Sequence, residues 1–125
     1  MVFKIHTILK PTLSLFWSKI DVDKPNTVYI QARYAGGPCV AQLCLDVEDS
    51  AGWIRAVYVQ EAYQGRGLGS LLLGRAFAVC RALRFETVGL TVHHENEKAR
   101  TLYQRLGFVR FLDGHENYQQ YIKPL

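Results

Sequence analysis

From Thr27 onward the apolar and polar residues alternate: Val28, Ile30 and Ala32 are interleaved with Tyr29, Gln31 and Arg33. A period of two marks a strand with one buried face, and Ala35-Gly36-Gly37-Pro38 then supplies a turn before Cys39 to Val47 resumes the extended pattern, so the two runs predict a hairpin. Glu48 to Gly52 reads as a second turn, and Trp53-Ile54-Arg55-Ala56-Val57-Tyr58-Val59 is aromatic and β-branched enough to be the third strand of an antiparallel meander. The period then lengthens. Leu68, Leu71, Leu72, Ala76, Val79 and Leu83 recur at intervals of three and four, which predicts an amphipathic helix of about four turns. Thr87 to His93 returns to alternation, with Val88, Leu90 and Val92 on one face, and strand-helix-strand of this length predicts a crossover between parallel strands. A second helix begins at Asn96, a good N-cap, buries Ala99, Leu102, Tyr103 and Leu106, and ends at Gly107, where a left-handed C-cap belongs, with Phe108 folding back onto the last turn. Val109 to Leu112 and Tyr118 to Lys123 close the chain as a hairpin around Asp113 to Asn117.

The beginning is less regular. Residues 2–9 alternate weakly and predict a first strand, and Pro11 to Ile20 predicts one helix before the turn cluster Asp21-Val22-Asp23-Lys24-Pro25-Asn26. The fold class is therefore α+β, a mixed sheet with two main helices, and 125 residues without repeats or linkers predict one domain over 1–125.

Composition narrows the partners. A hydrophobic fraction of 49% with 21% charged residues belongs to a globular chain that buries a core. The net charge of +4 favours anions in general, but linear basic clusters are absent, so nucleic acid is not the expected partner. Three cysteines, Cys39, Cys44 and Cys80, have no CxxC spacing; free thiols in a reducing compartment are expected, with no structural zinc or other metal. The N-terminal residues lack a secretory pattern and no segment reaches the ~20 apolar residues of a membrane span, so the expected location is the cytoplasm.

The segment that carries chemistry is Gln64-Gly65-Arg66-Gly67-Leu68-Gly69-Ser70, three glycines at alternate positions between a strand and a helix. Glycine permits a tight turn and close ligand approach, and the first amides of the following helix lack intrahelical partners, so they converge on an anion. No Gly-Lys-Ser/Thr closes the loop and the glycine spacing is not that of a dinucleotide fingerprint, which leaves a phosphate cradle of another kind.

Together with Asn96-x-x-Ala99-x-x-Leu102-Tyr103-x-x-Leu106-Gly107-Phe108, this Gln64-to-Gly69 loop resembles the paired motifs of the GNAT superfamily of N-acetyltransferases. The resemblance covers Trp53 to Phe108, and it implies the GNAT acyl-CoA N-acyltransferase fold, acetyl-CoA as acetyl donor and an amine as acceptor. It also implies positions. Backbone groups of Val57 and Val59 would pair with the pantetheine arm as with an added strand, and Gln64, Gly65, Arg66, Gly67, Leu68, Gly69 and Ser70 would hold the pyrophosphate, with Lys98 adding charge. Asn96 matches a position near the pantetheine arm, and Tyr103 matches the tyrosine that in many members protonates the departing thiolate.

The base is less defined. An amine of pKa about 10.4 is neutral in only about one molecule per thousand at pH 7 and must lose a proton before it attacks. Many members keep a glutamate near the start of the strand that here begins at Trp53, but Trp53-Ile54-Arg55 offers no carboxylate. His94 and Glu95 are the leading candidates, beside His93, Glu48 and Asp46; because neighbours on a strand face opposite ways, only one of His93 and His94 should point into the cleft. Only about fifteen residues separate the first two predicted strands, room for one short helix where members have one or two, so the helical region is abbreviated and the acceptor cleft open or completed by another subunit, as in a homodimer. Aromatic residues at that end, Tyr58, Tyr63, Phe111, Tyr118 and Tyr121, are candidate lining, and an open cleft tilts the acceptor toward a peptide or protein amine over a small one. The alternative from another class is a CoA-binding regulatory or structural module that kept the cradle and lost the chemistry.

Overall fold

A computed structural model describes residues 2–5, 13–18, 26–34, 37–48, 50–113 and 117–125. They form strands β1 (Val2–Ile5), β2 (Leu13–Ser18), β3 (Thr27–Tyr34), β4 (Cys39–Glu48), β5 (Ala51–Val59), β6 (Thr87–His93), β7 (Val109–Asp113) and β8 (Tyr118–Pro124), with helices α1 (Leu68–Ala82) and α2 (Glu97–Arg105). All strands join one sheet in the order β1-β2-β3-β4-β5-β6-β8-β7. Neighbours pair antiparallel except β5 and β6, which are parallel, as a strand-helix-strand crossover through α1 requires.

Alternation along β3 and β4 places Ile30, Ala32, Leu43 and Leu45 in the core, where α1 covers them with Leu68, Leu72, Leu73, Ala76, Phe77 and Cys80. The helix is turned by about one residue from its sequence-predicted stripe. Leu73, Phe77 and Cys80 are buried, Leu71 and Val79 are half-buried, and Leu83 is 47% exposed. Periodicity fixes that a helix has an apolar side, but the fit against the twisted sheet decides its centre. The end of α2 follows the prediction closely: Gly107 has φ +96, its amide donates to the Gln104 carbonyl at 3.1 Å, and the Phe108 amide donates to the Tyr103 carbonyl at 3.0 Å. Phe108 is 2% exposed and packs against Phe77 and Tyr103, so the left-handed cap delivers an aromatic anchor to the core.

Two expectations are corrected. The helix over Pro11 to Ile20 is not present at residues 13–18, where β2 pairs with β3 along its whole length from Leu13↔Tyr34 to Ser18↔Tyr29. An open β3 edge offers a ladder of backbone partners to Leu-Ser-Leu-Phe-Trp-Ser, an aromatic segment suited to a strand, and that pairing outweighs a weak local helical pattern. The turn expected over Glu48 to Gly52 is shorter, because β4 runs to Glu48 and β5 starts at Ala51. Residues 6–9 of the predicted first strand lie outside the described residues.

Candidate active site

The pairing of β5 to β6 ends early. Its register runs from Ala51↔Thr87 to Ile54↔Leu90, whereas β6 goes on to pair with β8 through His93↔Tyr118. Beyond Ile54 the two parallel strands part, and β5 from Arg55 to Val59 keeps only its β4 partner. Two features mark the fork. Trp53 lies across Gly89, so closely that a Cβ on Gly89 would clash with the indole Cζ3. Arg55 is an extra residue in β5, since Leu45 pairs with Ile54 while Cys44 pairs with Ala56, and such a bulge bends a strand away from its neighbour.

The gap opens toward the start of α1. Gly65 and Gly67 have φ of +79 and +80, a conformation that favours glycine, and nothing stands within 4 Å of the Cβ position of either. Gly67 is the N-cap and no side chain caps the helix, so the amides of Leu68, Gly69 and Ser70 face an open space with the positive end of the dipole behind them. Arg66 lies over the Tyr63 ring, 5.0 Å from its centroid, and Tyr63 in turn packs on Tyr34. Gln64 reaches back, donating from Nε2 to the Val59 carbonyl at 3.1 Å, so one of the Val59 carbonyl's two lone pairs has a partner. The half-buried side chains of Val57 and Val59 pack against the core and hold this strand edge in place.

At the start of α2 the Asn96 side chain accepts from the Ala99 amide at 3.2 Å, an N-cap bond. Tyr103 is two turns further along the same helix face, packed edge-on against Phe108 at 5.7 Å between ring centroids. Burial pushes its phenol pKa up, so the group stays protonated throughout the neutral range. Lys98 is exposed, while the Arg100 Nε is buried without a hydrogen-bond partner, a cationic donor on α2 that the motif resemblance passes over.

The base candidates occupy the turn between β6 and α2. The Nδ1 of His94 is 3.0 Å from the Asn117 carbonyl, which can only accept, so Nδ1 carries a proton, and in the neutral ring the lone pair is on Nε2. That Nε2 is 4.0 Å from a carboxylate oxygen of the exposed Glu95. His93 has the opposite tautomer, its Nδ1 accepting from the Glu95 amide at 3.1 Å. The two rings do not face opposite ways as an ideal strand would have them: they stack at 4.9 Å between centroids, because His94 lies beyond the end of β6. No hydrogen bond among the described residues joins Tyr103 to His94 or Glu95. Asp46 accepts one hydrogen bond at each oxygen, from the Thr27 hydroxyl at 2.9 Å and from Arg55 Nε, so both oxygens are already engaged within the chain.

The remaining candidates separate by burial. Cys80 is fully buried and its thiol pKa is pushed up to about 11 by desolvation, so it is a neutral core group. Tyr121 is also core, whereas Tyr58, Phe111 and Tyr118 are exposed. Sequence reasoning missed Arg55 as a site residue, since no glycine or proline at Ile54-Arg55-Ala56 marks the bulge. Among the described residues there is no cluster of His, Cys, Asp or Glu able to hold a metal, and no helix is long and apolar enough to cross a membrane.

Comparison with known proteins gives this arrangement a context. The PaiA N-acetyltransferase of Thermoplasma acidophilum, solved in complex with coenzyme A, superimposes with a TM-score of 0.75 at 17% identity, over 80% of this chain and 62% of that one. An acetyltransferase of Thermus thermophilus gives 0.73 at 27% identity, over 83% of this chain and 67% of that one. In sequence, a mycothiol acetyltransferase of Beutenbergia cavernae is 39% identical over 86 residues, which is 68% of this chain and 29% of that protein. The N-alpha-acetyltransferase MAK3 of Arabidopsis thaliana is 35% identical over 78 residues, 59% of this chain and 41% of that protein. The chain thus spans less than half the length of the curated relatives it matches. Residues 4–108 match the family model described as Acetyltransferase (GNAT) family, and with most of its length inside that match the chain belongs to the GNAT family of acetyltransferases.

Proposed function

We propose that this chain transfers the acetyl group of acetyl-CoA to a primary amine, of a small molecule or of a peptide or protein, by direct attack in a ternary complex. The observation that carries the reading is the meeting of an uncapped helix start with an unpaired strand edge. The amides at the start of α1 suit a pyrophosphate, since Gly65 and Gly67 leave open space where any other residue would project a side chain. The β5 edge from Arg55 to Val59 suits an amide-bearing arm, which Val57 and Val59 would pair as an added strand. Gln64, Gly65, Arg66, Gly67, Leu68, Gly69 and Ser70 form the cradle in this reading, and Asn96, its Oδ1 engaged as a cap, has its amide nitrogen to offer the arm.

Acetyl-CoA supplies an activated thioester; the chain supplies positions and protons. The acceptor nitrogen forms a bond to the thioester carbonyl carbon, the carbon–sulfur bond breaks, and the sulfur leaves with the bonding pair. The Tyr103 hydroxyl gives that thiolate a proton, a role for which its desolvated, neutral phenol is suited. His94 Nε2 takes the proton that the amine must shed, directly or through water, with Glu95 beside it to stabilise the charged ring. Location in the cytoplasm and action as a single unit over 1–125 belong to the same reading, and two chains sharing the open cleft would be its oligomeric form.

A second reading rests on Trp53. At the strand position where many relatives keep a glutamate, an indole fills the surface over Gly89, as would suit a CoA-binding module without catalysis. Calorimetric titration with acetyl-CoA, followed by thiol release against amines and peptides, separates the two. Binding with turnover supports the enzyme, binding without turnover across the panel supports the module, and no binding removes both.

A further inference from the structure

The sheet face turned away from α1 holds a cavity of about 570 Å³ beside the fork. Thr27, Cys44, Asp46, Glu48, Arg55 and Ala56 are among its walls. Successive strand residues ordinarily face opposite sides, yet Arg55 and Ala56 both line this space, and the bulge in β5 is what makes that possible. Arg55 and Ala56 are also the first two residues past the last β5–β6 pair, so the cavity reaches the start of the splayed edge.

Its chemistry is specific. The Arg55 guanidinium is held through Nε by Asp46, and Asp46 is itself fixed by the Thr27 hydroxyl at 2.9 Å. A guanidinium anchored by Nε keeps its terminal nitrogens as donors in a planar fork, the geometry that recognises a carboxylate. Asp46 and Arg55 neutralise each other as an ion pair, and Glu48, four residues beyond Cys44 on β4, acts on the guanidinium through space without a hydrogen bond or close ion pair among the described residues, which gives the wall one net negative charge. A wall that attracts a cation and has an oriented anion donor beside the fork fits a zwitterion. A simple alkylamine would leave the guanidinium donors unmatched, and a polyamine would meet a cation at the fork. The volume is in the range of small-molecule sites and accommodates an amino acid.

We infer that this cavity is the acceptor pocket and that Arg55 is its specificity-determining residue, selecting a small amine that carries a carboxylate close to the amino group, as a free α-amino acid does. The inference rests on the acetyl-transfer reading for the role of the pocket, but carboxylate binding at Arg55 can be measured without it.

The test pairs α-amino acids with their carboxamides. In the wild type, kcat/KM from coenzyme A release should favour the acids by roughly 10- to 100-fold, the range expected for hydrogen bonds to charged groups. Arg55→Gln should bring the ratio near unity, and Arg55→Lys, which keeps the charge without the fork, should recover part of it. Carboxamides equal to or better than the acids, or a preference that survives Arg55→Gln, would overturn the assignment. Calorimetry of the same amino acids with the protein alone separates the two failures: if acetyl-CoA gives no heat while an amino acid binds and Arg55→Gln abolishes that binding, the transfer reading fails and the carboxylate site stands. If no amino acid binds either form, the site fails.

Discussion

The two helices begin in opposite ways. At α2 the Asn96 side chain accepts from the Ala99 amide and Glu97 sits in the first turn, so both the orphan donors and the dipole are partly satisfied by the chain itself. At α1 the N-cap is Gly67 in a left-handed conformation, no side chain caps the turn, and the first turn contains no acidic residue. A start like that of α1 forgoes stability that a capping side chain would contribute, on the order of 1 kcal/mol, and retains an open set of N–H donors. One helix start is finished internally and the other is left for an anion, and the glycines that keep it open are those of the family motif.

The largest effect should come from closing the open start. Gly67→Val puts a β-branched residue at φ +80 and a side chain into the cradle, and acetyl-CoA binding by calorimetry should weaken on the order of 100-fold or more. Nothing lies within 4 Å of the added Cβ, but φ +80 strains any side chain there, so the far-ultraviolet spectrum and denaturant midpoint are measured alongside and the loss of binding is read from folded protein. Tight binding by a folded Gly67→Val protein would remove the distinction between the two starts.

Tyr103→Phe comes next and isolates chemistry from binding. The ring still packs on Phe108, so acetyl-CoA affinity should hold while kcat falls roughly 100-fold, the lower end for loss of a general acid. The pH dependence has a definite sign. Burial raises the phenol pKa above its usual 10, so the acid form persists beyond pH 10 and the wild-type rate should lose this contribution only above that point. Stability follows the same linkage: the unfolded chain ionises near 10 and the folded one later, so the contribution is complete below pH 10 and is lost as pH rises through the folded value. Equal turnover in Tyr103→Phe would exclude the acid role.

Asn96→Ala reverses the pattern of Gly67→Val. Loss of the cap bond should cost about 1 kcal/mol in denaturant unfolding, with only a minor change in acetyl-CoA affinity. A tenfold loss of affinity at unchanged stability would make Asn96 a ligand first and a cap second, as its motif position implies.

Much of this was legible from Thr27 to Phe108, where period two and period 3.6 alternate cleanly and Gly107 and Asn96 mark helix ends. The glycine loop was legible too, since left-handed φ at Gly65 and Gly67 is a property of residue type. Three things were not. Residues 13–18 became a strand because β3 has an edge to pair with, and an edge belongs to the sheet rather than to the segment. The burial of Leu73, Phe77 and Cys80 depends on how α1 rests on the sheet, and a one-residue rotation of the apolar stripe is nearly invisible in sequence. The bulge at Arg55 carries no glycine or proline to announce it, so in sequence Arg55 stands out only as a position without a carboxylate.

The smallest expected effect concerns charge around the open start. Arg66 is exposed and rests over Tyr63, and Lys98 is exposed on α2, so any attraction either has for phosphate acts through solvent. If the α1 amides do most of the anion binding, Arg66→Ala and Lys98→Ala should each weaken acetyl-CoA only a few-fold, about 1 kcal/mol or less, and the loss should shrink as salt is raised. Arg66 should lose more than Lys98, because its guanidinium is held beside Gly65 and Gly67 by the Tyr63 ring. A loss for either variant as large as that of Gly67→Val would move the anion site from the backbone to side chains, and the contrast between the two helix starts would then lie in their cations rather than in their caps.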